Sequence, residues 1–488
     1  MNPNTPVLVG VSQILQRFDD VSEAKEPLLL MLDAARGAVE DAEAADLMPQ
    51  IDSVRVVRGR WRYKQPAGYL AEQLGVPAAE RVGTPFGGNS VQALVNQTAQ
   101  DILRGLNQVV LLAGAETGNA QAKLAKQGRE MQYLETAGPY DKMLDEEVPM
   151  SCDAEIARGV LAPIQMYPIF ENAVRYARGE SIDAHRDRVS KLWSGFSAVA
   201  QDNPSAWIQQ PMSAEAIATP SSRNRMVSFP YPKLMNSNNA VDMGAALIMM
   251  SVEKARALGI PEAKWVYPWS GANAHDTYAV SNRDNLHSSP AIRLAGRKAL
   301  ELAGIEVADL DRVDVYSCFP SAVQIAAKEL GLDENRPLTI TGGLTFGGGP
   351  LNNYVMHSIA RMVELSRQNP TEIGLITANG GYLTKHSFGV YSATAPAKDF
   401  EFKDVQDEVD ALPTKSVLDE YSGKATVESY TIMYGAEGPS VGHLVCLTDQ
   451  GDRVWANIED AAVLADMVER ENCGLRVEVS LEGVASFC

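Results

Sequence analysis

Hydrophobic positions in the first quarter of the chain follow two alternating periods. The β-branched runs PVLVGVS, IDSVRVVRG and QVVLLAGAE indicate strands, whereas EPLLLMLDAARGAVEDAEA and SVQALVNQTAQDILRG have the spacing of amphipathic helices. Strands that alternate with helices favour a mainly parallel sheet with helices on its faces. Helices are also predicted from Pro163 to Asn203. AVDMGAALIMM is predicted to be a helix or a buried strand that leads into the helix SVEKARALG.

The same order of elements returns between about Trp265 and Ser392. The pattern predicts, in turn, a helix (SPAIRLAGRKALELAG), a strand (RVDVYS), a helix (SAVQIAAKELG), a glycine-rich turn (TGGLTFGGGP), a helix (NNYVMHSIARMVELSRQ) and a strand (EIGLITANGG). We therefore interpret the two stretches as duplicated units.

The tail differs in composition from both halves. A polar linker is predicted from Ala395 to Thr414, followed by the strands ATVESYTIMY, VGHLVCLTD, RVWANI and LRVEVSLEG and the helix AAVLADMVER. This order favours a small, separate β-rich domain, either an OB-like barrel or a split β-α-β unit. The predicted domains span residues 1–262, 263–395 and 405–488.

Charge and composition limit the possible partners. The chain has 488 residues, 45% of them apolar, and its net charge is −19 from 43 basic and 62 acidic residues. Such a chain repels polyanions, so we expect neither a nucleic acid nor an anionic membrane as a general partner. An anionic ligand must therefore be met by a local group of cations.

Two further absences in the sequence shape the expectations. No run of about 18 apolar residues could span a bilayer, and the first 20 residues lack the basic and apolar regions of a signal peptide. The five cysteines are scattered and never form a CxxC pair, which argues against a disulfide framework and a zinc site. We expect a cytoplasmic protein without a metal.

Three glycine-rich turns stand at junctions between strands and helices. They are Gly87-Gly88-Asn89-Ser90, Gly347-Gly348-Gly349-Pro350 and Asn379-Gly380-Gly381. Glycine lets backbone amides approach a ligand, and a helix N-terminus favours developing negative charge, although each turn could equally serve chain reversal alone. None of the three matches GxGxxG or GxxxxGK[ST], so a dinucleotide or phosphate-loop role is disfavoured.

Taken in order, these segments resemble the thiolase superfamily, especially sterol-carrier-protein-type thiolases and the type 1 thiolase-like proteins with an added C-terminal domain. Residues 87–94 (GGNSVQAL) are similar to the nucleophile loop, and residues 111–117 (LLAGAET) to the strand that ends AGGAES. FPYPKLMNSNNAVDMGAALIM is similar to the loop that leads into DGAAA. VYSCF, GGLTFGGGPL and TANGG stand where relatives have HDCF or NEAF, GGxxxxGHPxG and CxGG.

The resemblance implies an α/β fold in which a duplicated core has α-β-α-β-α layers. It also implies acylation of one cysteine, a histidine base, a second cysteine that moves a proton, and an oxyanion hole. The corresponding positions here are Gly87, Gly349, Ala378 and Tyr316. Without a thiol at position 87, an acyl-enzyme cannot form there.

Three residues are candidate replacements for the missing catalytic groups. Tyr316 stands at the oxyanion-hole position and could donate a hydrogen bond or act as an acid, and Tyr382 follows the CxGG-like turn and should face the pocket. His386, in a predicted helix or turn, could act as a base. Each also has a structural reading as a packed or surface residue, which we favour for His275, Cys318 and Cys152.

The resemblance further implies coenzyme A or an acyl-CoA as a substrate, with no covalently held cofactor. The predicted binding residues are Arg223, Arg225, Lys233, Gly87, Asn89, Gly348 and Gly349. A second basic cluster is predicted to be one exposed strand face with a structural role. It comprises Arg55, Arg58, Arg60, Arg62 and Lys64.

Three functions remain open at this point. The first is an acyl-CoA acyltransferase that works without the usual cysteines. The second is a carbon-carbon lyase of the same fold, in which tyrosines act as acid and base and the fused tail supplies an OB-fold partner. The third is a non-catalytic binder or carrier of acyl-CoA. Either a homodimer or a monomer is compatible with the sequence.

Overall fold

A computed structural model describes residues 2–488. Its strands, in chain order, are β1 Pro6–Leu15, β2 Ser53–Val56, β3 Glu80–Gly83, β4 Val109–Thr117, β5 Lys142–Met143, β6 Met226–Ser228, β7 Tyr231–Pro232, β8 Asp242–Ser251, β9 Tyr267–His275, β10 Arg312–Asp314, β11 Gly374–Gly380, β12 Lys385–Ser392, β13 Glu401–Asp404, β14 Gly423–Gly435, β15 Gly438–Thr448, β16 Arg453–Ile458, β17 Arg476–Val479 and β18 Ala485–Phe487.

The helices connect these strands and cover the faces of the sheets. They are α1 Pro27–Asp41, α2 Pro66–Gln73, α3 Ser90–Leu103, α4 Gly118–Lys126, α5 Asp153–Ala157, α6 Pro163–Ala177, α7 Ile182–Gln201, α8 Ala214–Ala218, α9 Val252–Ala257, α10 Pro290–Ala303, α11 Pro320–Leu330, α12 Tyr354–Gln368, α13 Gln406–Asp410 and α14 Ala461–Met467. Within residues 2–488, no helix combines the length and the apolar character needed to cross a membrane.

The first half of the chain builds a six-stranded sheet in the order β1-β8-β4-β2-β3-β5. Strands β2, β3, β4 and β5 are parallel, and β8 is antiparallel to both β1 and β4. AVDMGAALIMM therefore contains a strand, and every residue of β8 is buried. Helices cover both faces of this sheet, which explains why its central strands read as continuous apolar runs rather than as an alternation.

The second half builds a five-stranded sheet in the order β10-β11-β12-β9-β13. Strands β9 and β12 were not predicted, because YPWSGANAH and KHSFGVYS mix small and polar residues that have little strand propensity. Strand β12 is held against α3 by the side-chain amides of that helix. Asn96 Nδ2 donates to the Phe388 carbonyl at 3.2 Å, and Tyr391 Oη donates to Gln92 Oε1 at 2.8 Å.

The expected layers are confirmed. Helices α3 and α12 lie between the two sheets and contact both of them, α1 packs on the outer face of the first sheet, and α10 packs on the outer face of the second. The order of layers is therefore α-β-α-β-α, with the N-terminal end of α3 directed toward the end of β11.

The segment from residue 395 to 414 is not a free linker. Residues 401–404 form β13, which adds to the second sheet by parallel pairing with β9, and α13 follows directly. The prediction of a linker was wrong because the polar composition of DFEFKD reflects an exposed edge strand, whose outer side faces water.

The tail forms a sheet in the order β16-β15-β14-β17-β18, and all neighbouring pairs are antiparallel. A parallel bridge between Asn457 and Val484 joins the two ends of the sheet, and α14 lies between β16 and β17 in the chain. This arrangement is a five-stranded, partly open barrel, which favours the OB-like alternative. The barrel is not separate from the core, since β6 pairs with β14 through Met433 and Ser228.

A buried arginine joins the barrel to the core. Arg453 on β16 is fully buried, forms an ion pair with Glu428 at 2.7 Å, and donates through Nη1 to the carbonyls of Ser281 and Arg283. Trp455 Nε1 also donates to Ser281 Oγ at 2.7 Å. Removing the guanidinium would leave the largely buried Glu428 carboxylate and two buried carbonyl groups without this partner.

We expect Arg453→Met to lower the free energy of unfolding by about 3 to 5 kcal/mol, the scale for breaking one side of a buried pair. Arg476→Met is the matched control, because Arg476 lies in the same barrel and pairs with Asp449 at the surface; its cost should stay below about 1 kcal/mol. Urea unfolding of both variants tests this. Equal costs would show that Arg453 does not hold the barrel.

Candidate functional site

Two of the three glycine turns meet at the N-terminal end of α3. A Cβ atom placed on Gly88 would lie 2.3 Å from the carbonyl oxygen of Asn379 and 2.4 Å from Tyr316 Oη. A Cβ atom on Gly380 would lie 3.2 Å from the Gly88 nitrogen. Glycine is therefore required at position 88, because any side chain there would collide with the end of β11.

Tyr316 follows β10 and is held by the strand beside it. Its backbone N–H donates to Thr377 Oγ1 at 2.9 Å, and its ring meets the edge of Tyr354 with 5.4 Å between the centroids. Burial, and to a lesser extent the nearby Cys318, raises the pKa of Tyr316. The phenol therefore stays protonated at neutral pH and can act as a hydrogen-bond donor.

Tyr316 and His386 line one small cavity. The cavity measures about 10 Å³, room for about one water molecule, and Asn379, Leu383 and Phe388 also line it. His386 lies in β12 rather than in a helix or turn, and it is buried. Its Nε2 is 3.1 Å from the carbonyl oxygen of Leu383.

A buried ion pair fixes the turn between β11 and β12. Arg283 lies 3.6 Å from Asp276 and donates to the carbonyls of Tyr382 and Leu383. Burial would raise the pKa of Asp276, but the charge of Arg283 and the hydrogen bonds to the acid outweigh that effect and lower the pKa. Leu383 has a positive φ of 57°, a strained conformation that these contacts maintain.

Tyr382 lies outside this cavity. Its hydroxyl donates to the carbonyl of Leu161 at 2.9 Å, so its ring turns toward the segment that precedes α6. The side chain is half-buried, and burial raises its pKa. The structure thus brings Tyr316 and His386 together at one cavity and places Tyr382 outside it.

Lys385 is a buried group that the sequence analysis did not single out. Its Nζ donates to the carbonyl of Phe86 at 3.2 Å, and a Cβ atom on Gly87 would lie 3.1 Å from that nitrogen. Burial lowers the pKa of Lys385, while Glu147 and Asp145 act in the opposite direction. An amine therefore lies next to the position at which the superfamily has its thiol.

The signal that could have identified Lys385 was its neighbour. Lys385 pairs with Gly380 across the tight turn, so it returns directly to the glycine motif that was recognised. Because β12 was not predicted, KHSF was interpreted as part of a surface turn. A lysine in a surface turn is ordinary, so it did not indicate a functional site.

Two asparagine oxygens near the turns point to a polar ligand. Among residues 2–488, Asn89 Oδ1 and Asn379 Oδ1 are buried and have no hydrogen-bond partner. Asn89 Oδ1 lies 2.5 Å from the position of a Cβ atom on Gly87. Buried acceptors of this kind are usually satisfied by a donor, either a water molecule or a ligand.

The third turn is packed against the loop before β8. The Gly349 N–H donates to the carbonyl of Asn238 at 3.0 Å, and the Gly348 N–H donates to the carbonyl of Gly343 at 3.2 Å. A Cβ atom on Gly348 would lie 2.5 Å from Met243 Sδ, so the Met243 side chain fills this space. Both amides are already used inside the protein.

The predicted cations Arg223, Arg225 and Lys233 are exposed around the β6–β7 hairpin. Arg225 Nη1 donates to the Met226 carbonyl at 3.0 Å. A cavity of about 230 Å³ lies beside the hairpin, lined by Met226 and Pro232 and by side chains of α6, α7 and the barrel. Arg225 and Lys233 are the sequence neighbours of two lining residues, Met226 and Pro232, but none of the three cations lines the cavity itself.

The second basic cluster does not form one exposed strand face. Arg55 is buried in β2 and pairs with Asp101 at 2.8 Å, and residues 57–65 form an extended loop. Arg58, Arg60 and Arg62 instead line a cleft of about 540 Å³. The prediction was wrong because the alternation of this segment continues past the end of the strand, where its outward side chains face a cleft.

A buried carboxyl lies under this cleft. Glu116, at the end of β4, accepts a hydrogen bond from the Arg60 N–H at 2.7 Å. Burial raises its pKa to about 7, although the Arg60 hydrogen bond and the charges of Arg60 and Arg58 oppose the shift. Glu116 is therefore partly protonated at neutral pH.

The residues given a structural reading behave as packed groups. Burial raises the pKa of Cys318 to about 12, so its thiol is unreactive at neutral pH. His275 stacks on Tyr278 at 4.2 Å, and Cys152, whose pKa is raised by burial, precedes α5. Within residues 2–488, no group of three His, Cys, Asp or Glu side chains could hold a metal ion.

Comparison with known proteins identifies two family models along the chain. Residues 272–393 match the thiolase C-terminal domain-like family, and residues 404–484 match the additional C-terminal domain of thiolase-like protein type 1. A crystal structure of a monomeric SCP2-thiolase like protein type 1 from Mycobacterium smegmatis is 32% identical, covers 100% of both chains and has a TM-score of 0.87.

More distant relatives share the fold or part of the sequence. An Ltp2-ChsH2(DUF35) aldolase is 19% identical over 80% of this chain and 98% of its own, with a TM-score of 0.60. The acetyl-CoA acetyltransferase of Methanocaldococcus jannaschii is 29% identical over 126 residues, and that of Schizosaccharomyces pombe is 29% identical over 147 residues. These alignments cover 22% and 30% of this chain and 32% and 35% of those enzymes, so the chain spans about a third of their length.

The position of Lys385 predicts the behaviour of a cysteine introduced at residue 87. In Gly87→Cys the thiol would lie beside the ammonium, which favours the thiolate, so alkylation should begin at a pH at least about one unit lower than in Gly87→Cys/Lys385→Met. The measurement is iodoacetamide labelling, followed by mass spectrometry of the peptide that contains residue 87, so labelling of the native cysteines does not contribute. The same pH midpoint in both variants would contradict the placement of Lys385.

The raised pKa of Glu116 predicts a pH-dependent stability. Between its ordinary value of 4.5 and its folded value of about 7, the folded state binds the extra proton, so stability is lost as pH rises through this window. Relative to Glu116→Gln, the wild type should lose about 3 kcal/mol of unfolding free energy between about pH 4 and about pH 8. Urea unfolding across this range tests the difference, and parallel curves would refute it.

Proposed function

This chain belongs to the type 1 thiolase-like proteins that carry an additional C-terminal domain, and on that premise we propose that it binds acyl-CoA thioesters without forming an acyl-enzyme. The observation that carries the proposal is the meeting of the Gly87-Gly88 turn, Tyr316 Oη and Lys385 Nζ at one point of the fold. The turn that ordinarily presents a thiol presents glycine there, with two polar donors around it.

The chemistry of this point suits an uncharged carbonyl group. Tyr316 keeps its proton because burial raises its pKa, and it can donate to the carbonyl oxygen of a thioester. The unpaired oxygens of Asn89 and Asn379 can accept hydrogen bonds from amide N–H or hydroxyl groups of the same ligand. Apolar Leu383 and Phe388 suit an acyl chain.

Entry of a ligand requires the covering segment before α5 to move. Glu147 accepts a hydrogen bond from the Phe86 N–H at 2.7 Å, and Met150 Sδ lies 2.8 Å from the position of a Cβ atom on Gly381. The cavity behind them holds about one water molecule, so the acyl group would displace this segment rather than enter the closed site.

A carbon-carbon lyase is the second candidate, and one observation favours it. A retro-aldol cleavage needs a base that takes the hydroxyl proton and an acid that protonates the enolate. Burial shifts the pKa of Lys385 down, toward a proton acceptor, and that of Tyr316 up, toward a retained proton. The aldolase among the structural relatives and the fused barrel are consistent with this function.

An acyltransferase activity remains the third candidate, since the curated relatives carry that name. Position 87 lacks a nucleophilic thiol, so the acyl group would pass directly between two bound partners. A non-catalytic carrier of acyl-CoA is the outcome if neither reaction is found.

We also propose that the protein is a cytoplasmic monomer. The edge of the first sheet beyond β3 is covered by β5, which pairs with Val82 and Gly83 and so occupies an edge that could otherwise join a second copy. The solved relative of type 1 is described as monomeric.

Isothermal titration of the full chain with CoA, acetyl-CoA and a long-chain acyl-CoA tests the binding proposal. We expect a thioester to bind more tightly than free CoA, and Tyr316→Phe to weaken the thioester by about three- to tenfold while leaving free CoA unchanged, as loss of one hydrogen bond to the carbonyl requires. Tyr391→Phe, which removes a buried hydroxyl elsewhere, is the control.

The two reactions are separated by their own assays. Aldol cleavage of a β-hydroxyacyl-CoA should fall at least about a hundredfold in Tyr316→Phe, while acyl transfer should move a labelled acetyl group between CoA thioesters. Equal affinity for CoA and its thioesters, or no binding of any of them, would overturn the proposal.

A further inference from the structure

The structure assigns a second binding site to the cleft beside the Gly87-Gly88 turn, and we propose that this arginine cleft binds the phosphates and base of a nucleotide. The cleft is lined by Arg58, Arg60, Arg62 and Arg129 together with Trp61, Phe86 and Tyr133, and it measures about 540 Å³. Its size suits a nucleotide, and its lining combines guanidinium groups with aromatic rings.

The positive charge of the cleft is not neutralised by the protein. Among residues 2–488, none of the four guanidinium groups lies within 4.0 Å of a carboxylate oxygen. Glu130 also lines the cleft, and Arg129 hydrogen-bonds to the side chain of Gln127 at 3.0 Å. Glu116 beneath the cleft is only partly ionised, so these two acids leave a local excess of positive charge against four guanidinium groups.

This excess is unusual in a chain of net charge −19. Several surface arginines elsewhere have carboxylate partners, as Arg81 has with Asp141 at 2.7 Å and Arg178 with Glu334 at 2.8 Å. Four like charges around one cleft repel each other unless an anion joins them. A ligand with two or more phosphate charges would supply that compensation.

The backbone that carries the arginines is rigidly held. Gly59, Trp61 and Tyr63 face inward, so Arg60 and Arg62 face outward. Tyr63 donates to Glu26 at 2.7 Å, and its ring packs at a tilt against Trp61, with 5.0 Å between the ring centroids. The Arg58 guanidinium lies over the ring of Trp61 at 5.0 Å. The backbone of the three arginines and the Arg58 guanidinium are thus positioned in advance of any ligand, which reduces the entropy lost on binding.

Aromatic surface beside the charges distinguishes a nucleotide site from a site for simple phosphate. Phe86 is 44% exposed although it is a large apolar side chain, and Tyr133 stands on the opposite segment of the cleft. An exposed aromatic face next to guanidinium groups is suited to stacking on a base.

Phe86 connects this cleft to the thioester site. It directly precedes Gly87, and its carbonyl accepts the hydrogen bond from Lys385 Nζ. The nucleotide could therefore be the adenosine bisphosphate end of CoA, in which case the inference rests on the proposed function, or it could be a free nucleotide. In both cases the recognised chemistry is a base with adjacent phosphates.

The test titrates the full chain with adenosine 3′,5′-bisphosphate, ADP and inorganic pyrophosphate, using isothermal titration calorimetry at low and high salt. In Arg60→Ala/Arg62→Ala we expect at least a tenfold loss of nucleotide affinity, because each removed guanidinium takes away a charge-assisted hydrogen bond. Pyrophosphate should bind more weakly than either nucleotide, and added salt should weaken all three.

Arg36→Ala/Arg297→Ala is the matched control, since it removes two exposed arginines outside the cleft, on α1 and α10, and it should keep the wild-type affinity. Equal nucleotide affinity in the wild type and in Arg60→Ala/Arg62→Ala, or a loss confined to the control, overturns the arginine cleft. Arg129→Gln gives an independent check from a different segment, and thermal unfolding confirms that each variant is folded.

The outcomes separate this inference from the proposed function. If CoA thioesters bind but Arg60→Ala/Arg62→Ala has no effect, the arginine cleft fails and the proposed function stands. If ADP binds with full dependence on Arg60 and Arg62 while no CoA compound binds, the cleft stands as a nucleotide site and the proposed function fails. If adenosine 3′,5′-bisphosphate binds more tightly than ADP, the cleft is supported as the nucleotide end of a CoA site.

Discussion

The close approach of the Gly87-Gly88 turn to the end of β11 is the constraint on which the candidate site depends. The first half of the chain supplies the turn, and the second half supplies Asn379, Tyr316 and Lys385. The two halves can meet this closely only because residue 88 has no side chain. Asn89 and Lys385 then fill the space in which a side chain at position 87 would otherwise lie. An amine thus lies beside position 87, where the resemblance to thiolases would place a thiol.

The electrostatics around this contact follow from burial. Desolvation raises the pKa of Tyr316 and lowers that of Lys385, so both groups are driven toward their uncharged forms. Asp276 and Arg283 remain charged because they lie close together, and they hold the strained turn at Leu383. The arginine cleft is the opposite case, since its charges face solvent and repel each other until an anion binds. A desolvated inner site beside a cationic outer cleft suits a ligand with a thioester at one end and phosphates at the other.

Much of the fold could be predicted from the sequence, because strands such as QVVLLAGAE and helices such as SVQALVNQTAQDILRG have clear periods. The strands β9 and β12 could not, since their small and polar residues serve the packing of α3 rather than strand propensity. Because β12 was not predicted, Lys385 at its start was not recognised as a candidate site residue, whereas Tyr316 was identified from its own motif. For Gly348 and Gly349 the motif predicted ligand-binding amides. In the structure both amides already donate hydrogen bonds within the protein, to the carbonyls of Gly343 and Asn238.

A crystal structure of the full chain with a bound acyl-CoA thioester tests the central claim most directly. The account predicts that the thioester carbonyl oxygen lies within hydrogen-bonding distance of Tyr316 Oη or Lys385 Nζ, with the covering segment displaced and every bond of the thioester intact. A thioester carbonyl bound away from the Gly87-Gly88 turn, or an acyl group attached covalently to the protein, would contradict it.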